Sequence, residues 1–156
     1  MADPLREQLA RLLEWKEAHA GFDKSVAGVP FELQGQIPAG FEHSAWQLLE
    51  HLCIAQADII DFCVNANYAH MKWPDDYWPK DPAPPDAGAW DRSVAACKAD
   101  RERMQAIARD TAIDLFAKIP HGEGQTYMRE ILLVADHASY HVGQLVLLRR
   151  ALGNWS

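Results

Sequence analysis

The sequence predicts an all-α protein, a bundle of four helices. Three observations carry this. Apolar residues recur at three- and four-residue spacings in four separate stretches, and no stretch alternates convincingly as a strand would. Three of those stretches open on a capping signal: Asp3 before Pro4, Ser44 followed by Gln47, and Thr126. Glycines and prolines punctuate 21–43, and prolines crowd 65–88, between the stretches.

The first helix is expected over residues 3–20. Asp3 caps it, Pro4 fits its first position, and Leu5, Leu9, Leu12 and Leu13 form its apolar stripe. Residues 21–43 are broken by Gly21, Gly28, Pro30, Gly35, Pro38 and Gly40, with a short helical turn expected near 24–27. Helix 2 is expected over 44–64, where Leu48, Leu52, Ala55, Ile59 and Phe62 share one face. Residues 65–88 hold five prolines and the rings of Trp73, Tyr77 and Trp78, so they read as an irregular crossover whose rings pin it to the helices. That crossover is long enough to traverse a helix, which lets helix 3 run parallel to helix 2. Helix 3 is expected over 89–109, on Trp90, Val94, Cys97, Met104 and Ala108. A second irregular stretch leads to helix 4, from Thr126 to about Leu152, where Gly153 stops it.

A chain of 156 residues suits a single domain spanning 1–156, with one core. Its net charge of −7, with no basic stripe, argues against nucleic acid and against anionic membrane surfaces. No apolar run approaches the roughly 18–20 residues of a membrane span. The start, MADPLREQL, lacks the apolar core of an export signal, so a cytoplasmic protein is expected. Cys53, Cys63 and Cys97 are odd in number and lack C-x-x-C spacing, and read as free, buried thiols.

The stretch ADHASYHVGQ raises the functional question, because it places His137 and His141 one turn apart on helix 4. At 100° per residue both fall on one flank of the seam Ile131, Val134, Ala138, Val142 and Leu145, about 40° from each other. Two imidazoles so related can aim nitrogens at a common atom, the use of an H-x3-H pair in metal binding. A third ligand should come from a facing helix. His51 lies on a flank of the helix 2 seam, about 10 Å from that helix's start, and His141 lies roughly 15 Å from the end of helix 4. An antiparallel pair brings the three to one level, and a parallel pair also permits it. The pair is not the H-E-x-x-H of metalloproteases, since Ala138 stands beside His137 where that motif carries its base.

HSAWQLLEHL together with VADHASYHVGQLVLLRR resembles the DinB/YfiT-like superfamily, whose members are read as metal-dependent enzymes. The likeness extends over nearly the whole chain, and WPDDYWP and HGEGQT resemble features of one bacterial branch. It implies a four-helix bundle in up-down-down-up order and one divalent metal ion held by His51, His137 and His141. Imidazole suits zinc, nickel, copper and iron alike, with zinc or nickel leading and manganese also open. Some relatives are transferases and isomerases that use a small cellular thiol, while many have no known activity. The resemblance therefore implies a small-molecule substrate and a metal-activated low-molecular-weight thiol attacking an electrophile. Two alternatives stay open: hydrolysis by a metal-bound hydroxide, and a non-catalytic metal- or ligand-binding module. A homodimer also fits a small bundle.

Other polar residues are weaker candidates. Gln144, one turn beyond His141, can orient a ligand or substrate, or simply be a half-exposed polar residue. His121 opens the glycine-rich HGEGQT and is a candidate for proton transfer or substrate contact, against a loop histidine bonded within its own turn. Glu130 and Asp58 each lie two turns from a histidine and can support a ligand from behind, against a solvated position, which is the first expectation for Glu130. His19, His43 and His70 read as surface or capping residues. The aromatic crossover reads as a packing belt, with a pocket lid as its other use.

Overall fold

The computed structural model describes residues 3–14 and 17–155. Among these there are six helices: α1 Pro4–Leu12, α2 Phe22–Val26, α3 Phe31–Gln34, α4 Ala45–Val64, α5 Ala89–Arg109 and α6 Tyr127–Ala151. The described residues form no strand, only one isolated bridge between Lys118 and Thr126. The all-α expectation therefore holds, with two short helices added before α4.

Local chemistry sets the ends. The Asp3 carboxylate accepts from the Leu5 amide and Pro4 occupies the first turn of α1. At α4 the capping box is complete: Ser44 Oγ accepts from the Gln47 amide, and the Gln47 side chain accepts from the Ser44 amide. Thr126 accepts from the Arg129 amide to open α6, and Gly153 lies just past its end at φ +68°. The predicted spans 44–64 and 89–109 are matched to within a residue by α4 and α5.

The first helix is shorter than its predicted 3–20. It ends at Leu12, Glu14 already turns, and 17–19 bend; the intervening 15–16 lie outside the described residues. The leucine stripe runs only to the buried Leu13. The expected turn near 24–27 is α2, and α3 sits between Pro30 and Gly35 in what read as loop. A cis bond joins Trp73 to Pro74 in the crossover.

α4 packs against both α5 and α6, and α1 against α5. Two apolar clusters fill the interior. One joins Leu9, the end of α4 (Ile60, Phe62), the end of α5 (Met104, Ile107) and the start of α6 (Ile131, Val134). The other joins the starts of α4 and α5 (Trp46, Leu49, Trp90) to the end of α6 (Leu145, Leu148). The start of α4 thus meets the end of α6 and the reverse, so these two helices are antiparallel. Between the clusters, residues 50–58 of α4 and 136–144 of α6 mix buried apolar side chains such as Leu52 and Val142 with polar ones, and His51, His137 and His141 all lie there. α6 alone among the described helices is long and apolar enough, by length and composition, to cross a membrane, with 33% of that stretch buried inside the fold. Cys63 and Cys97 are free and buried as expected, and Cys53 is free but only half-buried.

Candidate metal centre

The structure brings His51, His137 and His141 together. One ligand nitrogen from each lies within 4.8 Å of the other two, with no Cys, Asp or Glu in the group. His51 is 2% exposed, His141 is 5% exposed, and His137 is half-buried. The Nε2 atoms of His51 and His137 are 3.1 Å apart. Two bonds of about 2.05 Å to one ion span that separation at an angle of about 100°, between octahedral and tetrahedral values. The residues therefore fit a divalent ion.

Each ring is set by its surroundings. Nδ1 of His51 lies 2.9 Å from the Tyr77 carbonyl, which can only accept, so that nitrogen carries the proton and Nε2 is left bare toward the cluster. One face of the ring is covered by Trp78, stacked at 3.8 Å and within 2° of parallel. The other side of that indole carries His43, stacked at 3.9 Å. His43, read from sequence as a surface or capping residue, is thus part of a His–Trp–His stack. Trp73 meets His51 edge-on at 6.3 Å while remaining 67% exposed. On α6, His141 Nδ1 is buried with no hydrogen-bond partner, as is Gln144 Oε1. Gln144 lies close enough to favour the charged ring slightly, but the two atoms do not form a well-aligned bond. The His141 ring therefore carries a buried nitrogen whose polar need nothing among the described residues meets.

Electrostatics agree with the geometry. Burial, and then the neighbouring His51, push His137 down to about 4. Burial, then His137 and His51, push His141 down to about 4. Burial also lowers His51, partly opposed by the Tyr77 carbonyl. The three rings are therefore neutral at pH 7, the form that binds metal.

The crossover contributes more than a packing belt. Tyr77 Oη donates to Asp58 at 2.6 Å and Tyr68 Oη donates to the other oxygen at 2.9 Å. Asp58 on α4 thus anchors the segment whose carbonyl orients His51 and whose Trp78 covers it. Burial together with this carboxylate raises the Tyr68 hydroxyl to about 12 and the Tyr77 hydroxyl further still. Sequence spacing ties Asp58 to α4 alone. The aromatic-rich WPDDYWP was the signal for the rest, but nothing in it says which ring meets which histidine.

The remaining candidates lie elsewhere. Glu130 is buried at 2% exposure and paired with Arg129 at 2.6 Å, correcting the expected solvated position. His121 is not with the trio. Its Nε2 lies 2.7 Å from the Phe62 carbonyl, eleven residues or about 16 Å along α4 from His51, so its bond reaches a helix rather than its own turn. His19 and His70 are exposed, as expected.

The model of the DinB superfamily matches residues 14–145, which takes in all three histidines and most of the helical framework. No curated protein and no solved structure matches the chain. With a match over that much of its length, this chain is a member of the DinB superfamily.

Proposed function

We propose that His51, His137 and His141 bind one divalent metal ion, zinc or nickel before the others, and that the centre serves a small-molecule enzyme. The observation that carries this is a neutral, carboxylate-free trio of imidazoles, two buried and one half-buried, with two Nε2 atoms 3.1 Å apart. An ion held only by neutral ligands keeps its double charge, lowers the pKa of a bound water or thiol, and polarises carbonyl oxygens. Around it, Tyr77 fixes the His51 tautomer, Trp78 shields that ring from water, and Asp58 holds the crossover in place.

The most concrete reaction is transfer of a low-molecular-weight thiol to an electrophile. The thiol gives up its proton, its sulfur bonds to the electrophilic carbon, and the leaving group departs with the bonding pair. In this reading Gln144, half-buried beside His141 with an unpartnered Oε1, orients a substrate polar group. We also read α1, α4, α5 and α6 as an up-down-down-up bundle in a cytoplasmic protein. The shared clusters support that order, since α4 and α5 pack start with start and α4 and α6 start with end.

Elemental analysis of protein purified without a histidine tag or added metal tests the centre, with one divalent ion per chain expected. Turnover of electrophiles with and without cellular thiols tests the reaction. Metal present with thiol-independent turnover moves the reading to hydrolysis; no metal under any loading condition removes the centre itself.

A further inference from the structure

The geometry points to a two-fold dimer in which α6 packs antiparallel on α6 of a second copy, crossing at Gly143. The exposed side of α6 carries Asp136, Tyr140, Gly143, Leu147 and Arg150, with Tyr140 65% and Leu147 56% exposed. Among the described residues nothing accounts for the glycine: a Cβ built there meets no atom within 4 Å, and its φ is not positive. A glycine in mid-helix is destabilising relative to alanine, so a close approach by another body is the physical use left for it.

The flanking residues identify that body. Asp136 and Arg150 stand at equal distances either side of Gly143, each about 10 Å along the axis and about 20° around it. Among the described residues neither side chain joins an ion pair. A two-fold axis through Gly143 sets Asp136 of each copy against Arg150 of the other, and does so twice. A parallel pairing would instead put Asp136 on Asp136. The face is thus self-complementary in the way an isologous contact requires. It is also locally neutral on a chain of net charge −7, whose other surfaces repel a second copy. Beside the crossing lies a groove of about 620 Å³, walled partly by Val146 and Trp155, into which Leu147 or Tyr140 of the second copy can insert.

Sedimentation velocity of the full chain at tens of micromolar tests this, with a dimer expected. Gly143→Trp is expected to give a monomer with unchanged helical circular dichroism, because a Cβ added there meets no atom within 4 Å among the described residues. Asp136→Arg is expected to weaken the dimer at least tenfold, and Asp136→Arg combined with Arg150→Asp to restore it. The charge-swap series carries the test by itself if Gly143→Trp fails to fold. A monomeric wild type, a dimer that survives Gly143→Trp, or a double swap no tighter than the single one overturns the proposal. So does a monomer that instead partitions onto phosphatidylcholine vesicles, which would assign the face to lipid.

Discussion

Replacing His137 with alanine separates metal binding from fold stability, and its effect can be sized in advance. In the wild type a metal at about one hundred times its Kd stabilises the folded state by roughly 2.7 kcal/mol. For a chain of 156 residues each kcal/mol moves Tm by about 2–4 °C, so metal should raise Tm by about 5–11 °C. His137 supplies one of three nitrogens, and its Nε2 is the one 3.1 Å from His51. If affinity falls about a hundredfold, the same metal concentration sits near Kd and the stabilisation shrinks to about 0.4 kcal/mol, or roughly 1–2 °C. The metal-free cost should be small, on the order of 1 kcal/mol, because the lost ring is half-buried and lies outside both apolar clusters. Thermal melts with added metal and with chelator, paired with elemental analysis, measure both terms. His121→Ala, about 16 Å along α4 from the trio by helical rise, should keep the full metal-dependent rise. A His137→Ala protein that holds one equivalent of metal and the full rise would refute the ligand assignment.

Asp58→Ala frees both tyrosine hydroxyls and should cost about 10-fold or more in metal affinity without touching a ligand, read by competition titration with a chromophoric chelator. Ser44→Ala removes the cap of α4 and its bond to the Pro82 carbonyl, and should cost about 1–2 kcal/mol in urea denaturation with an unchanged slope. In metal-free protein His137 and His141 are lowered to about 4 from an ordinary 6.5, so the unfolded chain binds protons first. The histidine contribution to stability should therefore fall as pH drops from about 6.5 toward 4, and urea midpoints across that range check the sign.

The fold class was legible because its signals are local. The Ser44–Gln47 box, the leucine and isoleucine seams and the Gly153 stop each act within a few residues, and α4, α5 and α6 begin and end close to where those signals stand. The first helix was overextended because leucine spacing sets a face but not its length. The site was half legible. Helical periodicity put His137 and His141 on one flank, and the height argument selected His51. Neither could choose between parallel and antiparallel helices, which the sharing of Leu49 with Leu145 and of Ile60 with Ile131 across the two clusters decides.

The sequence by itself determined a helical domain with three imidazoles able to meet, because pitch and capping are properties of adjacent residues. Only the tertiary structure decided that Trp78 lies between His51 and His43, that the Tyr77 carbonyl fixes a ring nitrogen, and that Asp58 anchors the crossover. These contacts join residues 19 to 35 positions apart through an irregular, proline-rich segment. Such a segment has no periodicity to read, and its path is chosen by what it can bury and bond once the helices are in place.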